Sequence, residues 1–197
     1  MPKESTRLSL LGHGARLVHE QGFNNTGIQE ILNAADVPKG SFYFYFRNKE
    51  DFGLQLIDFY MDYIRSLIES ELLNSDLPPL PRLKQFFDDF QLSFERGQCK
   101  LGCPIGNLAT ELGDTNEAFR EKLDDALNVL RDAVEVCLRE AQELGELPVE
   151  MDIHKQAGFI INSWQGALIA MKAAKSIEPL EIFDSIIFER ILVKSSG

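Results

Sequence analysis

Apolar residues recur at helical spacing along most of the chain, and glycine or proline punctuates the pattern. The first predicted helix covers 5–21, with Leu8, Leu11, Ala15 and Val18 on one stripe, and stops at Gly22. Thr26 is placed to N-cap a short second helix, with Gln29 at capping-box spacing and Ile28, Ile31 and Leu32 on its inner face. A tight turn at Ala35-Asp36-Val37 leads to another short helix, which Pro38 can open without losing a hydrogen bond. Asn48-Lys49-Glu50-Asp51 then opens a long helix over 49–73, ended by Pro78, Pro79 and Pro81. Further helices are predicted at 82–97, 105–112, 115–144, 152–175 and 179–194. The expectation is an all-α chain: a three-helix unit over 1–48 and a larger helical domain over 49–197.

The segment 26–52 carries the most specific pattern. Two short helices across a tight turn, followed by a long one, suit a helix-turn-helix whose second helix enters the DNA major groove. In that helix Phe42 and Phe46 share one face and should be core, while Tyr43 and Tyr45 point elsewhere with hydroxyls that can reach phosphate oxygens. Gly40 allows close approach to DNA or tight packing. Lys49 sits at a helix N-terminus, where the helix dipole also favours a phosphate. Asp36 tolerates a left-handed backbone better than most residues.

Net charge, taken as a whole, opposes DNA binding, and its division along the chain removes the objection. Residues 1–52 hold six Lys/Arg and six Asp/Glu, so the whole formal charge of −11 falls on the remainder. A neutral head can present its basic residues while an acidic body is repelled. The 197 residues are 44% hydrophobic, enough for a sizeable core. No apolar stretch reaches membrane-spanning length, and MPKESTR has no signal-peptide core behind it. Three cysteines cannot all pair, which suits a reducing cytoplasm. His13, His19 and His154 have no metal-ligand spacing, and no cofactor motif is present. An enzyme would need Cys103 as nucleophile with His154 as base, or Glu111 as acid/base, and no motif supports either. A helical protein-interaction module is the other alternative. The last two helices, about 152–175 and 179–194, are apolar round most of their circumference. Phe159, Ile160, Ile161, Trp164, Leu168, Ile169 and Met171 cannot all face one core, so a second copy packed as a symmetric four-helix bundle is expected.

Residues 7–52 resemble the N-terminal domain of TetR-family repressors. Thr26, Ala35, Val37, Lys39, Gly40, Ser41, Tyr43, Phe46 and Lys49 match that family's pattern, while Gly27, Asp36 and Tyr45 depart from it. The resemblance implies palindromic operator DNA as a partner, a homodimer, and DNA contacts among Thr26, Gln29, Pro38, Lys39, Gly40, Ser41, Tyr43, Tyr45 and Lys49. The stretch Gly102-Cys103-Pro104-Ile105-Gly106-Asn107-Leu108 and the run Trp164-Gln165-Gly166-Ala167-Leu168 are similar to a branch of that family. This branch includes NemR-like sensors of electrophiles and AcuR-like repressors of acrylate metabolism. By that likeness Cys103 is a candidate sensor thiol beside a helix N-terminus, with Lys172 or Lys175 as its lysine partner. Helical geometry favours Lys175 for the Trp164 face. A small, partly apolar or electrophilic effector would bind among Phe86, Phe90, Phe94, Asn107, Phe159, Trp164 and Met171.

Overall fold

The computed structural model describes residues 3–73 and 76–193, Lys3 by its backbone alone. Among these residues the regular structure is entirely helical. The elements are α1 (Lys3–Gln21), α2 (Ile28–Ala34), α3 (Phe42–Tyr45), α4 (Lys49–Leu67), α5 (Pro79–Arg96), α6 (Pro104–Leu112), α7 (Glu117–Glu143), α8 (Ile153–Ala174) and α9 (Glu178–Ile186). A 3₁₀ turn, Lys39–Ser41, precedes α3, and π-helical turns extend α4 over Ile68–Leu73 and α9 over Ile187–Ile191. The expected end of the last helix at 194 lies outside the described residues. Helix α5 begins three residues before its expected start, because Pro79 and Pro81 sit in a first turn whose N–H groups have no intrahelical acceptor.

The chain forms two compact units. The first comprises Met1–Ile64 and Pro104–Ala126, the second Arg65–Cys103 and Leu127–Gly197. The expected division at 48/49 therefore falls inside the first unit, which also recruits α6 and the start of α7. Sequence order could not show this, because the recruitment comes from contacts between residues far apart in the chain.

The first unit closes around aromatic rings. Phe42, Phe46 and Phe52 are buried, with centroids 5.1 Å (42–46), 5.7 Å (42–52) and 5.1 Å (46–52) apart. Leu11, Ala15 and Val18 of α1 face this core as expected, but Leu8 is exposed, and Leu10 and Leu17 are buried instead. The Tyr60 hydroxyl donates to the Ala15 carbonyl at 2.5 Å, and burial pushes its ionisation well above the usual phenol range. Asn48 starts α4: its side-chain oxygen accepts the Asp51 N–H at 2.8 Å, while the Asp51 carboxylate accepts the Arg47 N–H at 2.9 Å. The Arg47 N–H chiefly holds the Asp51 carboxyl below its ordinary range.

The second unit has its own aromatic centre. Phe87 on α5 meets Trp164 at 4.9 Å and Phe183 at 5.1 Å, and Trp164 meets Phe183 at 5.0 Å. Arg82 is buried in this unit and pairs with Glu140.

Gly53 marks a close approach between helix backbone and two rings in the first core. A Cβ there would lie 2.6 Å from the Phe23 ring and 2.8 Å from the Phe119 ring, both buried. Overpacking of this kind costs about 1–3 kcal/mol, against the roughly 1 kcal/mol that a helix gains on Gly→Ala replacement. Gly53→Ala is therefore expected to lower stability, by about 1 kcal/mol, in urea denaturation of the full chain.

Candidate nucleic-acid interface

The turn between α2 and α3 is built as its residues require. Asp36 adopts φ +52°, the left-handed conformation expected of it, and the Val37 N–H returns to the Leu32 carbonyl at 3.0 Å. Pro38 leads into the 3₁₀ turn with φ −58° and ψ 145°. Phe42 then fixes the following helix to the core. The opposite side faces water: Lys39 and Gly40 are exposed, Tyr43 is 64% exposed and Phe44 62% exposed. Ser41 and Tyr45 are half-buried at its flank. Gln29 is exposed on α2, its amide donating to Asn33 at 2.8 Å.

Two residues expected at DNA make contacts within the first unit. Thr26 is fully buried, and its hydroxyl donates to the Gly22 carbonyl at 2.7 Å, satisfying the end of α1. Gly27, which has no side chain to offer, is the N-cap of α2. The Lys49 ammonium donates to the Asn24 carbonyl at 3.2 Å and lies 4.8 Å from the centre of the Phe23 ring. Burial lowers its pKa, partly opposed by the nearby Glu111 charge. Lys49 is thus a strut of the loop between α1 and α2.

Glu111 has a structural role that the sequence did not announce. From α6 its carboxylate accepts the Phe23 N–H at 2.9 Å and the Asn24 N–H at 2.6 Å. The loop can receive it because Gly22 takes φ +89°, and a Cβ there would meet the carboxylate at 3.1 Å. Asn116 and Lys122 add to the same unit, donating to Glu50 at 2.7 Å and pairing with Asp58 at 2.7 Å. No local motif announces a carboxylate that serves backbone donors 87 and 88 residues away.

The expected effector residues are brought together only in part. Phe86, Phe90, Phe94 and Trp164 form one aromatic cluster with Phe87, and Met171 is buried on the Trp164 side of α8. Phe159 is 51% exposed on the other side of α8, and Asn107 belongs to the first unit. Lys172 and Lys175 are both exposed. The angular argument for Lys175 fails because α8 stops at Ala174 and Lys175 turns left-handed, with φ +53°.

Cys103 immediately precedes α6 and is half-buried, whereas Cys99 and Cys137 are buried. Burial pushes the Cys137 thiol up, and it donates to the Leu72 carbonyl at 3.8 Å. The loop before Cys103 is strained: Gln98, Cys99 and Leu101 have φ of +59°, +52° and +70°.

Comparison with known proteins decides the family. Residues 10–56 match the family model of bacterial regulatory proteins of the tetR family, and residues 79–187 match the tetracyclin repressor-like C-terminal domain. The chain belongs to the TetR family. It is 38% identical over 175 residues to the transcriptional regulator AcuR of Cereibacter sphaeroides, covering 89% of this chain and 80% of AcuR. It is 33% identical to the transcriptional repressor DhaR of a Mycobacterium species (strain GP1), covering 98% and 95% of the two chains. The crystal structure of the reduced form of Escherichia coli NemR superimposes with a TM-score of 0.90 at 27% identity, covering 98% of this chain and all of NemR. TetR-family regulators bind operator DNA through the helix-turn-helix and act as dimers, and repression that responds to a ligand is typical of them. This chain is therefore a transcriptional regulator whose helix-turn-helix lies within residues 28–45.

The Glu111 bonds give a direct test of how this TetR-family head is held. In Glu111→Ala the Phe23 and Asn24 amides should exchange with solvent about tenfold faster or more, the equivalent of one charge-assisted hydrogen bond. Glu111→Gln, which keeps one acceptor oxygen, should fall between. Hydrogen exchange read by NMR checks this, and unchanged rates in both variants would contradict it.

Proposed function

We propose that this chain is a homodimeric repressor that holds palindromic operator DNA and releases it when a small, partly apolar or electrophilic effector acts on the second unit. The observation that carries the DNA-binding part is the exposed face of residues 38–45, standing on a closed aromatic core. Lys39, Tyr43 and the flanking Ser41, Tyr45 and Gln29 supply polar groups for phosphate oxygens and base edges. Lys49 and Thr26 act indirectly, by shaping the loop before α2.

The dimer reading is supported by apolar side chains left uncovered on α8 and α9. Phe159 and Ile169 on α8 are 51% and 64% exposed, and Ile182 and Ile186 on α9 are 55% and 46% exposed. Gly166, Ala170 and Ala173 share the outer side of α8 and leave room for a second helix to approach. A second copy covering both helices buries this patch and supplies the second recognition helix that a two-fold operator needs.

Cys103 is the thiol that favours an electrophile signal. It is half-buried where the other two cysteines are buried, it precedes a nine-residue helix, and strained backbone stands directly before it. Modification there alters the entry to α6, the helix whose Glu111 holds the loop before α2. A reversible ligand at the half-buried edge of Phe90 and Phe94 is the other route to the same release.

Two experiments test this reading with the full chain. Ile169→Glu with Ile182→Glu should convert a dimer to a monomer in light scattering and weaken operator binding at least tenfold, about 1.4 kcal/mol; a persistent dimer would remove these helices from the interface. Cys103→Ser should bind promoter DNA as the wild type does, yet no longer release it on treatment with p-benzoquinone. Normal release from that variant excludes the covalent route and leaves the reversible one.

A further inference from the structure

We propose that Phe44 reads the 5-methyl group of a thymine in the operator, so that a side chain with no hydrogen-bonding atoms sets part of the sequence preference. The inference rests on the DNA-binding reading above and deepens it.

The geometry of the short helix singles out this residue. Phe42 is fully buried against Phe46 and Phe52, which defines the core side of α3. Each residue of an α-helix advances about 100°, so Phe44 projects about 200° from Phe42, almost directly away from the core. Its 62% exposure agrees with that direction. Tyr43 is only a quarter-turn from Phe42, at the side of the helix, where its hydroxyl suits the flanking phosphate backbone.

Gly40 strengthens the assignment. It stands four residues before Phe44 on the outer side, and a Cβ built there meets nothing within 4 Å. Its φ is not left-handed, so neither internal packing nor backbone conformation demands a glycine. What the missing side chain leaves is a low outer surface beside Phe44. A helix presented to a groove by this side would bring the Phe44 ring to the base edges first.

The chemistry then narrows the target. A phenyl ring can neither donate nor accept a conventional hydrogen bond from a base. On the floor of the major groove, donors and acceptors are the common currency, and the thymine methyl is the apolar group available. The ring is not left to sweep freely: it meets Tyr45 edge-on, with centroids 5.1 Å apart and planes at 81°. A ring held this way enters the groove with less orientation to lose, which favours a positional contact over a diffuse one.

The experiment uses full-length protein and duplexes that the wild type selects from a random DNA pool. Each thymine is replaced in turn by deoxyuridine, which keeps base pairing and removes only the methyl group. The wild type should lose about fourfold in affinity at one thymine position in each half-site, the expected cost of one uncovered methyl. Phe44→Ala should bind more weakly overall and lose sensitivity to uracil at that position alone, and Phe44→Leu should retain part of it. Selection repeated with Phe44→Ala should no longer enrich thymine there. Binding by Phe44→Ala with the wild-type uracil profile overturns the proposal, as does a wild type insensitive to uracil everywhere. If neither protein enriches any duplex, the DNA-binding reading itself falls, and this proposal falls with it.

Discussion

One carboxylate organises the recognition unit. Phe23 and Asn24 present adjacent backbone N–H groups in the loop between α1 and α2, and Glu111 accepts both. Each of its two oxygens takes one donor, and a charged acceptor makes the stronger bonds. The same loop carries the Asn24 carbonyl that receives Lys49 and the Phe23 ring that packs edge-on against Phe119 at 5.5 Å. Loop, α4, α6 and the start of α7 therefore meet at one place. The start of α2, and through it the turn at Asp36, takes its position from that junction. Because α6 begins at the residue after Cys103, chain connectivity puts the strained 98–102 segment next to the helix that bears the carboxylate.

What could be read from the sequence followed from local rules. Asp36 was legible because the family pattern has a glycine at that turn and aspartate tolerates a left-handed backbone, and Phe42 and Phe46 because their spacing puts them on one side. Helix ends were legible to within a few residues, since prolines and glycines mark them. Thr26 shows where this kind of reasoning stops. Its position before a helix suits a cap, but α2 starts one residue later with Gly27 at the N-cap, and the buried Thr26 hydroxyl donates back to the Gly22 carbonyl. Lys49 was read as a phosphate ligand from its place at a helix start and from the family pattern, and neither could show that its ammonium also meets Asn24 and Phe23 of a distant segment. Lys175 fails for a simpler reason: an angular rule applies only while the helix continues. Glu111 was invisible as a strut, because nothing adjacent to it in sequence needs a carboxylate.

The second unit divides its apolar residues between two tasks, and this explains why its last helices look too hydrophobic for one core. Trp164 packs on Phe87 and Phe183, and Leu168 and Met171 are buried on the same side, while Phe159 and Ile169 on the same helix are exposed. Sequence pattern could show the surplus but not its partition, since a helix that is apolar all round gives no preferred direction. The structure supplies that direction through the aromatic cluster. Phe159 thereby lies on the outer surface and not with the Trp164 cluster, on the face that the proposed second copy would cover.

The two ends of the proposed switch differ in how they resist change. The head is locked by buried rings and by Glu111, arrangements that either hold or break, since close-packed cores do not deform gradually. The segment before Cys103 is the opposite: three non-glycine residues hold left-handed backbone, which persists only while their surroundings enforce it. A small perturbation is most effective where conformational energy is already stored, and its consequence is largest where an element has discrete positions. Placing strain at the entry of α6 and a two-bond carboxylate grip further along the same helix satisfies both conditions over nine residues.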